Sequence, residues 1–376
     1  MMKKAGIKRT IGLTLAGVLF ASTILAHCDS SVLSLREVRA TGTTAHIMTW
    51  NSTTKTAGLG DAVSFDTPIT GNLSLLPSFD ASVNEKSVYL AGDATVAGNG
   101  RGYTVESGKT LNIDLNGHSL SFAQGQGTPI CIDGGTVNVF DSSTQKTGEF
   151  NGGNNTGEGN GTNQNGWGGC FRLLGSGTLN LYGVSISGMV SGSAYPVAQG
   201  GAIVINDSAG TVNAYDSNIS GTSVNAAAGA VCVGVGSFND GHFNMYKGKI
   251  YSSTSQEDGG GILVYGTAEL HGVTINECSS TAGNGGAVRV KDGGDLTMED
   301  GCAITGCTAQ NGGGVYVENQ GSVTLENSTI SNCIASLKGG GIYVDNGGQF
   351  GNNDRHAGET QWYKQYYREY TGQCIF

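Results

Sequence analysis

The chain has 376 residues, 64 of them glycine and only 4 proline, and that glycine share is more than twice the ordinary ~7%. Charged residues make up 13%, about half the usual ~25%, and the formal net charge is −10 with only 20 Lys plus Arg. With no basic stripe to neutralise phosphates, nucleic acid and anionic membrane surfaces are disfavoured as partners, and neutral ligands fit better.

At the N-terminus, Met1-Met2-Lys3-Lys4 and Lys8-Arg9 lead into an unbroken apolar and small-residue stretch from Thr10 to Ala26. A basic n-region followed by such an h-region reads as a signal peptide over 1–26, with cleavage there or as late as residue 40; an uncleaved anchor is the alternative. His27 stands before Cys28, where a lipoprotein cleavage site needs a small residue, which argues against lipidation. No later segment approaches 18 consecutive apolar residues, so the expectation is an exported chain, extracellular or at the cell surface, whose mature part does not insert in a membrane. Residues 27–85 are assigned to a linker and N-terminal cap, since Trp50, Phe65, Leu73, Leu75, Leu76 and Phe79 lie there in an irregular polar setting.

Beyond this cap the chain repeats itself, and self-similarity takes precedence over any local secondary-structure reading. A block of the form Gly/Ala-Gly-small-apolar-x-apolar starts at Gly168, Gly200, Ala228, Gly259, Gly285, Gly312 and Gly339, at intervals of 26 to 32 residues, with a weaker copy at Gly127. Each block is followed by a segment whose apolar residues lie two apart: Leu111/Ile113, Val137/Val139, Leu179/Leu181, Val212/Ala214, Phe243/Met245, Ala268/Leu270, Leu296/Met298 and Val323/Leu325. Period two is the signature of a strand with one face in a core. A third short strand centres on Ile186, Ile219, Ile250, Ile275, Ile304 and Ile330. Three short strands cannot bury an apolar face alone, but stacked coils let each pair with its copy in the next at about 4.8 Å. The fold class predicted is all-β: a right-handed parallel β-helix over 86–349, with about eight to nine coils of three short strands. After Phe350 the composition changes to an aromatic-rich tail, 350–376, which either folds over the last coil or marks a truncated chain.

The GGAI at Gly200 to Ile203, GGAV at Gly285 to Val288 and the GGGI and GGGV blocks resemble the repeats of chlamydial polymorphic outer membrane proteins and of bacterial adhesin-like, pectin-lyase-like β-helix proteins. Gly108 to His118 resembles a first coil common in such surface proteins of gut bacteria. The resemblance covers roughly residues 86–349 and implies a β-helix with a surface habit.

The nine cysteines do not read as a disulfide framework. Cys278, Cys307 and Cys333 each follow the third-strand isoleucine by three residues, so they form one column, either an inward reduced stack or a column with one disulfide. Cys131 and Cys232 fall between inward residues and are expected to face outward as reactive thiols. No C-x-x-C pair or neighbouring His suggests zinc, and no metal or cofactor is expected.

Two outward features are candidate sites. On the second strand, Asn112, Asn138, Asn180, Asn213 and Asn244 form one column, and Phe140, Tyr182, Tyr215, Tyr246 and His271 form the next. Rings flanked by amides would make a flat ladder for stacking sugars and bonding their hydroxyls; self-stacking along the sheet is the plainer alternative. On the first strand, Arg289 with Lys291, Tyr316 with Glu318 and Tyr343 with Asp345 come together. Glu318 and Asp345 beside Lys291 would suit acid catalysis if one carboxyl were raised, or would be a solvated Lys291–Glu318 pair. The leading expectation is a surface-displayed adhesin-like module whose partners are glycans or host and neighbour cell surfaces. A polysaccharide lyase or glycoside hydrolase and a passive stalk are the alternatives.

Overall fold

The computed structural model describes residues 44–51, 56–65, 67–73, 82–96, 103–122, 128–151, 154–155, 169–191, 199–206, 209–237, 239–352 and 374–375. The leader reading over 1–26 and most of the tail reading lie outside these residues.

The described coils stack as predicted. First strands make a nine-stranded sheet from Tyr103–Glu106 to Ile342–Val344, one per coil. Pairing is parallel and in register: Ile203 with Val231, then Ile262, Val288, Val315 and Ile342. The second-strand pairs line up similarly, Leu111, Val137, Leu179, Val212, Phe243, Ala268, Leu296 and Val323 occupying one core column. All of these are at most 1% exposed, so the period-two reading placed the core correctly.

The coil differs from three separate strands in two ways. Second and third strands belong to one 18-stranded sheet, because strands such as Thr211–Ser220 and His242–Tyr251 run through the intervening bend. A left-handed residue takes each bend: Gly183, Asp216, Lys247, Gly272, Asp300 or Asn327. A fourth, mostly two-residue strand also forms a seven-stranded ladder from Asn154–Asn155 through Thr254–Ser255 and Ser279–Ser280 to Ile334–Lys338. Two polar residues carry no periodicity, so sequence pattern does not reveal it.

The rod begins earlier than its repeats. Thr67–Leu73 pairs in parallel with Glu85–Val96, which pairs in turn with Thr110–Asp114 and Ser119–Phe122. Ahead of it, Thr44–Asn51 and Thr56–Ser64 form an antiparallel hairpin. At the other end Gln349–Asn352 pairs in parallel with Ser322–Leu325, and Cys374–Ile375 lies antiparallel on Thr329–Ser331.

The paired glycines have distinct duties. Gly200, Gly259, Gly285, Gly312 and Gly339 adopt φ of 59–70°, the left-handed region that side chains penalise. Gly169, Gly201, Gly229, Gly260, Gly286 and Gly313 pass so close to the next coil that a Cβ would overlap the carbonyl oxygen of the residue above. Ala228 occupies the first-glycine position with φ 65°. Ala228→Gly is therefore expected to raise stability by about 0.5–1 kcal/mol, the left-handed penalty less the entropy of an added glycine. Equilibrium urea unfolding would measure it, and a loss of stability would mean that packing of the Ala228 methyl around Cys232 outweighs the strain of the corner.

Candidate functional sites on the outer columns

The asparagine column is a closed chain of hydrogen bonds. Asn138 Nδ2 donates to Asn112 Oδ1 at 2.8 Å, Asn180 to Asn138 at 2.8 Å, Asn213 to Asn180 at 2.9 Å and Asn244 to Asn213 at 2.9 Å. At the start Asn112 Nδ2 donates to Glu85 Oε1 and Ser87 Oγ. Asn112, Asn138, Asn180 and Asn213 each spend a donor and an acceptor on neighbours in the adjacent coils, and Asn244 ends the chain as a donor.

The ring column stacks on itself. Phe140 and Tyr182 are 4.8 Å apart between ring centroids, Tyr182 and Tyr215 5.3 Å, Tyr215 and Tyr246 5.0 Å, and Tyr246 and His271 4.8 Å, with interplanar angles of 9–18°. A ring stacked on both sides has no face left for a sugar. The hairpin adds a second cover: Ala45, Val63 and Phe65 cluster with Phe140, Tyr182, Tyr215 and Tyr246, and Phe65 meets Phe140 edge-on at 5.8 Å. All five rings of the column are buried, and the expectation of an exposed platform is corrected: the column exists, but its faces are occupied. Burial also pushes the Tyr215 and Tyr246 hydroxyls above their ordinary range.

On the first-strand face, Arg289, Tyr316 and Tyr343 share one column. Tyr316 and Tyr343 stack at 5.3 Å, the Arg289 guanidinium lies 5.1 Å over Tyr316, and Lys338 lies 5.4 Å over Tyr343. Arg289 forms a close ion pair with Asp258 and a second with Glu318 at 3.2 Å, while Lys291 reaches the same Glu318 oxygen at 3.1 Å. Tyr316 donates its hydroxyl proton to Asp345 Oδ2 at 3.0 Å. Burial, followed by the nearby charges, pushes Tyr265 up to about 12, beside Lys291. The Lys291–Glu318 pair expected as the plainer alternative is present and is joined by Arg289, while Asp345 accepts from a phenol.

The cysteine column is as drawn from spacing. Cys278, Cys307 and Cys333 are free thiols facing the core, and Cys302 joins them. Cys131 is half-buried, whereas Cys232, expected outward and reactive, is fully buried. It does point away from the main core, but Val204, Ala227, Ala228 and Leu263 form a second apolar cluster around it, and burial pushes its thiol up.

One grouping escaped the sequence reading, which expected no metal ligands. The ring column continues from His271 into Glu299, its partner in the next coil, and Asp300 follows at the bend. His271 Nδ1 lies 2.9 Å from Glu299 Oε1 and 3.3 Å from Asp300 Oδ2. Extending the ring column by one more coil would have found it.

The stacked coils, the nine first strands and the inward columns define the class: this is a right-handed parallel β-helix of about nine turns. Residues 260–354, its most regular part, match the family model described as right handed beta helix region. No curated protein and no solved structure matches the chain. Among the described residues no helix is long and apolar enough to cross a membrane.

Proposed function

We propose that the protein is an exported, surface-displayed β-helix of adhesin-like function that binds glycans or cell surfaces without turning them over, and that it binds through the first-strand face of its last coils. The observation that carries this reading is the column Arg289, Tyr316, Tyr343 beside Lys291, Glu318 and Asp345. Tyr316 and Tyr343 are themselves buried with both faces covered, so what this face offers a sugar is the half-buried Lys291, Glu318 and Asp345 that border the stack, charges of both signs able to bond hydroxyls. The near balance of charge in this network suits neutral glycans, in keeping with the acidic chain as a whole. The leader read over residues 1–26 supports export.

The two self-satisfied ladders favour a second reading, a passive stalk, since they explain most of the outer face as packing. Both readings meet in one experiment: a glycan-array and polysaccharide pull-down screen of the mature chain, with reducing-end and lyase absorbance assays on each hit. Binding without turnover is expected, weakened about tenfold by Lys291→Ala with Asp345→Ala, equivalent to about 1.4 kcal/mol. Turnover abolished in Glu318→Gln would replace the proposal with an enzyme, and no binding at all would leave the stalk.

A further inference from the structure

The end of the ring column raises a separate question, independent of any glycan. Four phenyl or phenol rings stack in succession, then an imidazole, and then the column turns to carboxylates at Glu299 and, one coil on, Glu326. His271 is 5% exposed and its ring is held parallel to Tyr246 at 15°, so stacking fixes the ring plane, and Nδ1 is the nitrogen turned to Glu299 and Asp300. Glu299 is half-buried and Asp300 exposed at the rim.

Two carboxylates converge on that single nitrogen. A ring N–H lies in one direction and serves one strong acceptor, so a proton on Nδ1 cannot satisfy both oxygens equally. The surroundings add negative charge: Glu269 is two residues before His271 and Glu326 is in the next coil, with Lys247 the cation approaching the same bend near Gly272.

The spacing identifies what would relieve this charge. Ligands bonded at about 2.0–2.2 Å around a tetrahedral or octahedral ion sit about 2.8–3.6 Å from one another. The Nδ1 to Oε1 and Nδ1 to Oδ2 separations of 2.9 and 3.3 Å fall at this spacing, and the three donor atoms all lie within 4.8 Å. We infer that His271 Nδ1, Glu299 Oε1 and Asp300 Oδ2 form a binding site for a divalent transition-metal ion of the zinc type. The imidazole nitrogen selects against calcium and magnesium, which take oxygen ligands. Binding uses the Nδ1 lone pair, so the ring proton then resides on Nε2. Three protein donors leave at least one coordination position for an external ligand, placing the ion at the rim, where Asp300 is exposed.

The test uses tag-free, chelator-treated full mature protein and Zn²⁺ alone, with Ca²⁺ in parallel. Calorimetry is expected to show one Zn²⁺ per chain, no comparable Ca²⁺ binding, and a rise in melting temperature with Zn²⁺. Glu299→Gln and Asp300→Asn should each weaken that binding at least about tenfold and remove the thermal shift, while melting as wild type does in chelator. Asp300→Asn keeps the test decisive if Glu299→Gln folds poorly, because Asn327 holds the equivalent bend in the next coil at φ 48°. Absence of Zn²⁺ binding, binding unchanged in Asp300→Asn, or preference for Ca²⁺ would each overturn the assignment.

Discussion

Gly229→Ala is expected to cost at least about 3 kcal/mol, at the top of the usual range for overpacking. The added methyl would overlap the carbonyl oxygen of Gly260 and crowd the backbone at Thr254. Neither obstacle is the tip of a side chain that can rotate away. The coils would have to separate locally, breaking the bonds from Gly229 N to Gly259 O and from Ala230 N to Gly261 O. Urea unfolding monitored by circular dichroism would measure the loss. A change under 1 kcal/mol would show that coil spacing is soft at this corner. The same substitution at Gly301, whose Cβ would meet nothing within 4 Å, isolates the conformational term, since its φ of 84° penalises alanine without a clash.

Phe150→Ala is the second large loss, about 3–5 kcal/mol. Phe150 is fully buried on the inward third-strand column, between Leu120 and Ile186 in register. Its ring stacks on Phe122 at 5.9 Å and meets Phe171 edge-on at 5.2 Å. Alanine would leave a void against two other rings in a coil whose backbone is pinned from both sides, which restricts collapse of the cavity. Phe150→Leu should recover more than half of the loss, and denaturant midpoints of the two variants would show it.

What the sequence revealed and what it withheld follow one physical line. Alternation such as Leu179/Leu181 and Phe243/Met245 states which side chains point into the rod, and the Gly-Gly corners state where it turns, so the fold and its core were legible. The outward direction is legible too: the asparagine and ring columns are where spacing put them. What lies on the far side of an outward residue is not encoded in its own repeat. Phe140 and Tyr182 are covered by Ala45, Val63 and Phe65 from a non-repetitive hairpin, and Cys232 by Ala227, Ala228 and Leu263. Exposure was therefore the property that failed. The pairing of Glu318 with Arg289 as well as Lys291 depends on side-chain reach across coils, which register alone does not give. His271, Glu299 and Asp300 were concealed by a change of chemical class within one column, aromatic below and acidic above.

Because the parallel ladders pair one coil with the next, the backbone hydrogen bonds between coils point along the rod. A load applied to its two ends falls on those interfaces in series, so the rod carries only the tension that its weakest interface sustains. Each coil that peels away releases its 26 to 32 residues, about 90–110 Å of extended chain, before the next is loaded. If the protein tethers a cell to a surface, such a rod would act as a shock absorber, lengthening in steps under shear while the coils beyond the break keep their shape.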